Sequence, residues 1–428
     1  MSRWFARLRT AWLANRWVRT GALILSVFGP ATIAAMADND ASGVATYSIA
    51  GATLGYPILF LLTIITVLLA MTQEMGMRLT LVTRRGLADL IRERFGVRIS
   101  LLIFAGLLVA NIGTIVVDLA AVSTSSQLLG IPAIPMLLGV LLLTFAFITW
   151  GNYRATQNIM LVVCLFYIVY VFSAVKAHPD WTLALTNLVF PHGVAPTPQY
   201  LHAYLLVGMG VIGTTITPWG QFFISSFAGD KKIEKDTLKY SQFETYWGAI
   251  WTDFFSFFMI VATAATLYTH GIRLDSGEQA ALAIEPFAGQ LAGTLFAVGI
   301  LVAGFMGIVT VSLSTAYAFS EFFGLSGSLD SDFRSSRTFY VLFVVQLLVA
   351  AAFLAVPGVS LFGLVIASQT LNAMILPLVF YYLIKLASNR SLMGVHANTR
   401  FQKNFTAVAS VLIGIASAFT VAALFLKW

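Results

Sequence analysis

The sequence predicts an all-α polytopic membrane protein with about eleven transmembrane helices, and three observations lead there. Of the 428 residues, 59% are hydrophobic and 10% are charged, whereas a soluble domain carries about 25% charged residues. The apolar residues fall into long runs, each near the ~20 residues that a helix needs to cross the hydrocarbon core. The basic residues collect in alternate gaps between those runs, as the positive-inside rule requires of a correctly counted set of spans.

In order, the spans run approximately from Gly21 to Tyr56, Pro57 to Val82, Ser100 to Gln127, Ala133 to Trp150, Ile159 to Lys176 and Leu201 to Phe227. Trp247 to Tyr268, Leu291 to Phe323, Thr338 to Val356, Ser360 to Leu386 and Phe405 to Leu426 complete the set. With the amino terminus inside, only Lys176, Arg273 and Lys427 of the 25 Lys and Arg residues fall on the outer side. A missed or extra helix would invert every later loop and spoil this segregation. The expectation is therefore a cytoplasmic amino terminus, an outer carboxyl terminus and a bacterial plasma membrane. One domain over 1–428 then comprises a basic segment (1–20), five spans (21–196), five more (197–388) and an eleventh span with the carboxyl terminus (389–428).

The net charge of +7 resides in loops between apolar runs, which points to anionic lipid headgroups as partners and away from nucleic acid. Arg3, Arg7, Arg9, Arg16 and Arg19 precede the first run, which mimics a signal peptide up to Ala35-Met36-Ala37. The ten apolar segments that follow favour a retained first span. A single cysteine, Cys164, excludes an intrachain disulfide and a thiolate metal cluster. The longest outer connection, Ala177 to Tyr200, reads as a packed cap, while others such as Pro357 to Ser360 leave no room for an outer domain.

Two stretches contradict the apolar pattern. Asp38-Asn39-Asp40-Ala41-Ser42-Gly43 interrupts the first span with residues that compete with helical backbone or weaken it. Thr214-Thr215-Ile216-Thr217-Pro218-Trp219-Gly220-Gln221 interrupts the sixth, where Pro218 removes an amide donor and clashes with the preceding turn. Taken alone, Pro218 reads as a simple kink; a loop at the outer end of a short first helix is the alternative for Asp38 and Asp40, but it would leave Val44 to Tyr56 as an unusually long apolar outer loop. Together, the breaks lie five helices apart, and an odd repeat length gives the two halves opposite topology. Paired breaks in inverted halves point to a secondary transporter with its site at the bilayer midplane.

Carboxylates at that depth are costly and sit where function requires them. Asp38 and Asp40, with hydroxyls from Ser42, Thr214, Thr215 and Thr217, describe an all-oxygen cation site, which suits a hard ion. The five histidines (His178, His192, His202, His270, His396) lie in loops or at span ends. Mg2+ keeps much of its water, and Ala41, Ser42, Gly43 and Gly220 leave room for it.

With these strings the chain resembles the NRAMP family of divalent-metal transporters, and more narrowly its magnesium-transporting relatives. The resemblance extends from Gly29-Pro30 to the tenth span. It includes Gly86-Leu87-Ala88-Asp89-Leu90, Asp118-Leu119-Ala120, Leu295-Phe296-Ala297-Val298 and Ala303-Gly304. It implies a LeuT-like fold of two inverted five-helix repeats with helices one and six broken, plus an eleventh helix. The family's Asp-Pro-Gly-Asn falls with its aspartate on Asp40 and its asparagine on Gly43. Its Met-Pro-His falls on Thr217, Pro218 and Trp219, so the thioether that discriminates against hard ions is absent and Asp38 is an added acid. The resemblance implies a metal site of Asp38, Asp40, Ala41, Gly43, Thr214, Thr217, Trp219, Gly220 and Gln369.

The family's two glutamates in the third helix are replaced by Asn111 and Ala121, leaving Asp118. The expected function is thus uptake of hydrated Mg2+, with Mn2+ as a second candidate and no proton coupling. The alternative is a proton-coupled Mn2+/Fe2+ importer. The chain has no P-loop for ATP-driven pumping, no Gly-x-Gly-Asp motif of an intramembrane aspartyl protease and no soluble output domain of a sensor. No enzyme activity, resident cofactor or obligate protein partner is expected. Asp118 reads either as a structural partner or as part of the exit path, and Trp219 as a cavity wall or a packed aromatic. Asp253 is expected at a solvated helix start, and Glu74 and Glu321 as interfacial charges.

Overall fold

The computed structural model describes residues 28–426 except 151, 234, 273, 275–288, 332 and 355–360. Arg3, Arg7, Arg9, Arg16, Arg19, the expected start at Gly21, Arg273, Lys427 and the Pro357 to Ser360 connection lie outside the described residues. The first span is two helices, α1 (Pro30–Ala37) and α2 (Ala41–Leu54). α3 (Ile58–Thr83) forms the second span, and the short α4 (Leu87–Phe95) leads into α5 (Val97–Leu128). α6 (Ala133–Trp150) is followed by a fifth span in two pieces, α7 (Tyr153–Leu165) and α8 (Ile168–Lys176). After the short α9 (Trp181–Asn187), the sixth span comprises α10 (Pro198–Thr215) and α11 (Pro218–Asp230).

The second half continues with α12 (Leu238–Thr263), α13 (Gln290–Phe323), α14 (Arg337–Leu354) and α15 (Leu361–Ala387). The short α16 (Arg390–Met393) precedes α17 (Arg400–Leu426). Among the described residues, nine helices are long and apolar enough to cross a membrane, with α6 as a shorter apolar helix. Adding the broken first span gives the eleven expected.

Two boundaries shift for a physical reason. The seventh span starts at Leu238 rather than near Trp247, because the polar stretch before Trp247 is helical and packed inward. Its Glu244 is buried and accepts hydrogen bonds from the amides of Gly29 (2.7 Å) and Thr32 (3.0 Å). A carboxylate from α12 thus satisfies amides at the start of α1 that have no partner within the helix. The fifth span starts at Tyr153 rather than Ile159, since Asn152 caps it by accepting from the Ala155 amide.

α3 packs against α12 and α5 against α13, so matching members of the two halves meet across the core. Glycines allow the closest approaches. A Cβ on Gly307 of α13 would overlap the Asp118 carboxylate and lie 2.6 Å from Asp40 Cβ, and one on Gly213 of α10 would overlap the Gln369 carbonyl of α15. The outward faces present large apolar side chains such as Leu142, Leu348, Leu412 and Phe419, as contact with lipid tails requires.

Candidate metal site between the two helix breaks

The first break is short. α1 tightens at its end, with the amides of Asp38, Asn39 and Asp40 bonding to the carbonyls of Ala35, Met36 and Ala37 at 3.1–3.2 Å. This three-residue spacing closes the turn as a 3₁₀ helix does. Asp40 then adopts extended backbone and caps α2 by accepting from the Gly43 amide at 2.7 Å. Ser42 and Gly43, expected in the unwound stretch, instead form the first turn of α2.

The second break has the same design with different chemistry. α10 ends at Thr215, Ile216 and Thr217 leave helical geometry, and Pro218 starts α11 at a position where its missing amide hydrogen is harmless. Thr217 caps α11, its hydroxyl oxygen accepting from the Gly220 amide at 3.0 Å. The same hydroxyl donates to Asp38 Oδ1 at 2.8 Å, so the two breaks are in direct contact. Gly220 lies close against this pair: a Cβ there would come 2.7 Å from the Thr217 hydroxyl oxygen and 3.3 Å from Asp38 Oδ1. Asp38 therefore sits at the positive end of α11.

Polar side chains from four more helices close around this contact. Gln73 of α3 reaches Asp38 Oδ2 at 3.4 Å. Ser42 donates to Asp40 Oδ1 at 2.6 Å and is itself held by Gln369 Nε2 of α15 at 2.7 Å. Asp118 Oδ1 of α5 accepts from the Ser42 amide at 3.1 Å. Asn39 is clamped by α12, donating to Thr252 and accepting from Ser256 at 2.8 Å.

Several buried polar atoms nearby have no protein partner: Gln73 Oε1, both side-chain polar atoms of Gln221, Asp118 Oδ2, Asn372 Oδ1 and Trp219 Nε1. Native proteins rarely leave such groups unmet, and water or an ion is the usual remedy. Among the described residues no three His, Cys, Asp or Glu side chains form a metal cluster. The sulfur closest in sequence, that of Met36, belongs to a side chain lining a groove with Phe28 and Cys164. The two breaks thus offer two carboxylates, hydroxyls and amides.

Of the residues read from the sequence, Asp38, Asp40, Gly43, Thr217, Gly220 and Gln369 are brought together. Thr214 joins them, its hydroxyl 3.2 Å from where a Gly43 Cβ would stand. Trp219 is fully buried, with its ring against Phe223 and its carbonyl bonded to Ser314. Ala41 turns its methyl toward Gly304 of α13 and supplies no polar side chain. Thr215 is occupied elsewhere, bonded to Tyr47 and to the Val211 carbonyl.

Three expectations are corrected. Asp253 is no solvated helix start: with α12 beginning at Leu238, it lies mid-helix and buried. Glu74 is no interfacial charge, being buried in an ion pair with Arg78 at 2.6 Å and bonded to Gln242 and Gln402. Glu321 is engaged by the Ala88 amide and the Ser226 hydroxyl, which ties α4 and α11 to α13. Gln73 and Asn372 were missed, although a glutamine or asparagine inside an apolar run is itself a signal of a partner or a pathway.

A profile of the Nramp family, described as natural resistance-associated macrophage protein-like, matches residues 31–423. The chain belongs to the Nramp family. It is accordingly a membrane transporter and not an enzyme. Divalent metal cation transporter MntH of Listeria welshimeri is 24% identical over 411 residues, covering 92% of this chain and 88% of that protein. MntH of Burkholderia ambifaria is 25% identical over 422 residues, covering 95% and 91%.

Among solved structures, the Eremococcus coleocola manganese transporter superposes with a TM-score of 0.77 at 18% identity, over 94% of this chain and 87% of that one. A Na+-coupled sialic acid symporter superposes at 0.54 and 14% identity, over 94% and 96%. These likenesses establish the fold: the LeuT-type Nramp architecture with helices one and six broken.

Proposed function

We propose that this Nramp-family divalent-metal transporter carries hydrated Mg2+, with Mn2+ as a second substrate and no co-transported proton. The observation that carries the reading is Thr217. At the place where the resembled family has a methionine, this chain presents a hydroxyl bonded to Asp38. Oxygen-only surroundings suit a hard ion, and the unpartnered Gln73 and Gln221 oxygens suit acceptance from an ion's retained water.

The absence of proton coupling is supported by the third span. Asn111 spends its amide on Thr315 at 2.8 Å, Ala121 cannot titrate, and Asp118 is held at the start of α2. A divalent ion gains about 4.6 kcal/mol per 100 mV of inside-negative potential, twice the ~2.3 for a unit charge, so uptake needs no co-ion. The orientation that makes this uptake places the basic loops in the cytoplasm of a bacterium and the carboxyl terminus outside. Proton-coupled Mn2+ or Fe2+ import is the competing reading; that a structural neighbour is a manganese transporter favours Mn2+ within it.

Proteoliposomes carrying luminal Mg2+ and pH indicators separate the two. Mg2+ influx under a negative potential, without luminal acidification, is expected. Acidification in proportion to the Mg2+ that enters would overturn the proposal in favour of coupled transport.

A further inference from the structure

Outside the two breaks, the most unusual buried group is Asp253. Its exposure is 5%, and its Oδ2 has no hydrogen-bond partner. Oδ1 has only a long contact of 3.5 Å with Ser256. The Thr66 hydroxyl lies beside the carboxylate but donates its proton to the Leu62 carbonyl at 2.7 Å. Among the described residues, no basic side chain lines the space in front of the acid.

That space is a groove of about 500 Å³ between α3, α9 and α12, with Asp253 in its lining. Trp181, Phe254, Phe257 and Phe258 form much of its wall, and their rings pack edge to face around Phe258 at 4.9–6.1 Å between centroids. The volume lies within the ~300–1,000 Å³ of small-molecule sites, which are concave, mostly apolar and given direction by a few polar groups. A divalent ion does not fit the chemistry, because one carboxylate among apolar walls cannot replace its water shell. An organic cation with an apolar body does: its charge meets the carboxylate, its body meets the aromatic wall, and the rings attract the cation in addition.

We propose that this groove binds an amphipathic organic monocation of the aryl- or alkylammonium class, with the ammonium on Asp253. The occupant has a route to the transport site. Ser256, three residues along α12, donates to Asn39 Oδ1 at 2.8 Å, so the helix that carries Asp253 also holds the first break. A cation seated at Asp253 holds α12 and α3 together and immobilises the break. The result is an inhibitor that lowers the rate without competing with metal. This second consequence rests on the transport reading above; the binding itself does not.

The test uses tritiated 2-phenylethylammonium with the purified full chain in lipid nanodiscs, without divalent ions. Saturable binding is expected, with the neutral isostere 2-phenylethanol displacing it at least about tenfold more weakly, or ~1.4 kcal/mol. Asp253→Asn should weaken binding by at least about tenfold, and Asp40→Ala should leave it within about twofold. Equal potency of the alcohol and the ammonium in the parent protein would overturn the proposal even if Asp253→Asn failed to fold. Unchanged affinity in Asp253→Asn, or loss in Asp40→Ala, would overturn it as well, the latter by placing the amine in the central site. In proteoliposomes the amine should lower the maximal Mg2+ flux and leave KM unchanged. A raised KM at unchanged maximal flux would overturn the inhibitory consequence while leaving the binding result to stand.

Discussion

The two breaks share a backbone plan and differ in charge. In each, a helix ends, one or two residues become extended, and an oxygen-bearing side chain caps the next helix, Asp40 in the first break and Thr217 in the second. The first holds both carboxylates; the second offers a hydroxyl, an indole and an amide side chain but no charge. On the function proposed above, attraction for the ion is concentrated on one half of the fold, and the other half sets what kind of ion is accepted, through Thr217.

If that division is right, substitutions in the two breaks should have different signatures. Asp40→Ala should lower Mg2+ flux by about a hundredfold or more, since few other charges face the ion, and Asp38→Ala by a similar order. Radiometric uptake into proteoliposomes checks both. Thr217→Met should instead preserve flux of some ion while shifting preference from Mg2+ toward Mn2+ by about tenfold, because it restores a soft donor. Paired Mg2+ and Mn2+ competition measures it, and an unchanged ratio would remove the second break from the selectivity argument.

A smaller effect is expected where the halves are only packed together. Gly307→Ala must displace the Asp118 carboxylate or Asp40, at a cost of about 1–3 kcal/mol, visible as a lower melting temperature in detergent. Gln369→Ala removes one bond to Ser42, worth about 1 kcal/mol, and should raise KM about fivefold.

The smallest concerns the anchoring of α1. Lys231, just past α11, donates to the Phe28 carbonyl, and burial lowers its pKa to about 8. Between that value and the ordinary 10.5 of a lysine, the unfolded chain binds more protons, so this residue's contribution to stability rises with pH across the window. Below pH 8 its full cost is present. Lys231→Met should flatten the pH dependence of the melting temperature relative to the parent between pH 8 and 10.

Much of this was legible in the sequence because the breaks violate a strong pattern. Asp38, Asp40, Pro218 and Gly220 stand inside apolar runs where nothing but an interrupted helix accommodates them. Charge alone misled where a carboxylate is buried and paired by distant residues. Glu244 reads as loop, yet it caps α1 more than 200 positions away, and that misreading moved the start of the seventh span and with it Asp253. Glu74 misled in part for the same reason: its ion-pair partner Arg78 is four residues along the same helix, but Gln242 and Gln402, which help to bury it, lie on other helices. The contact between Thr217 and Asp38 was implied by two facing breaks, but the clamp on Asn39 by Thr252 and Ser256 depends on tertiary packing that no local pattern encodes.

The central claim is that one ion sits between the breaks, and anomalous scattering from crystals soaked in Mn2+ tests it most directly. The account predicts a single peak enclosed by Asp38, Asp40, Thr217 and Gly220, weakened when excess Mg2+ is added. A peak elsewhere in the protein, with density between the breaks unaltered by either ion, would contradict it.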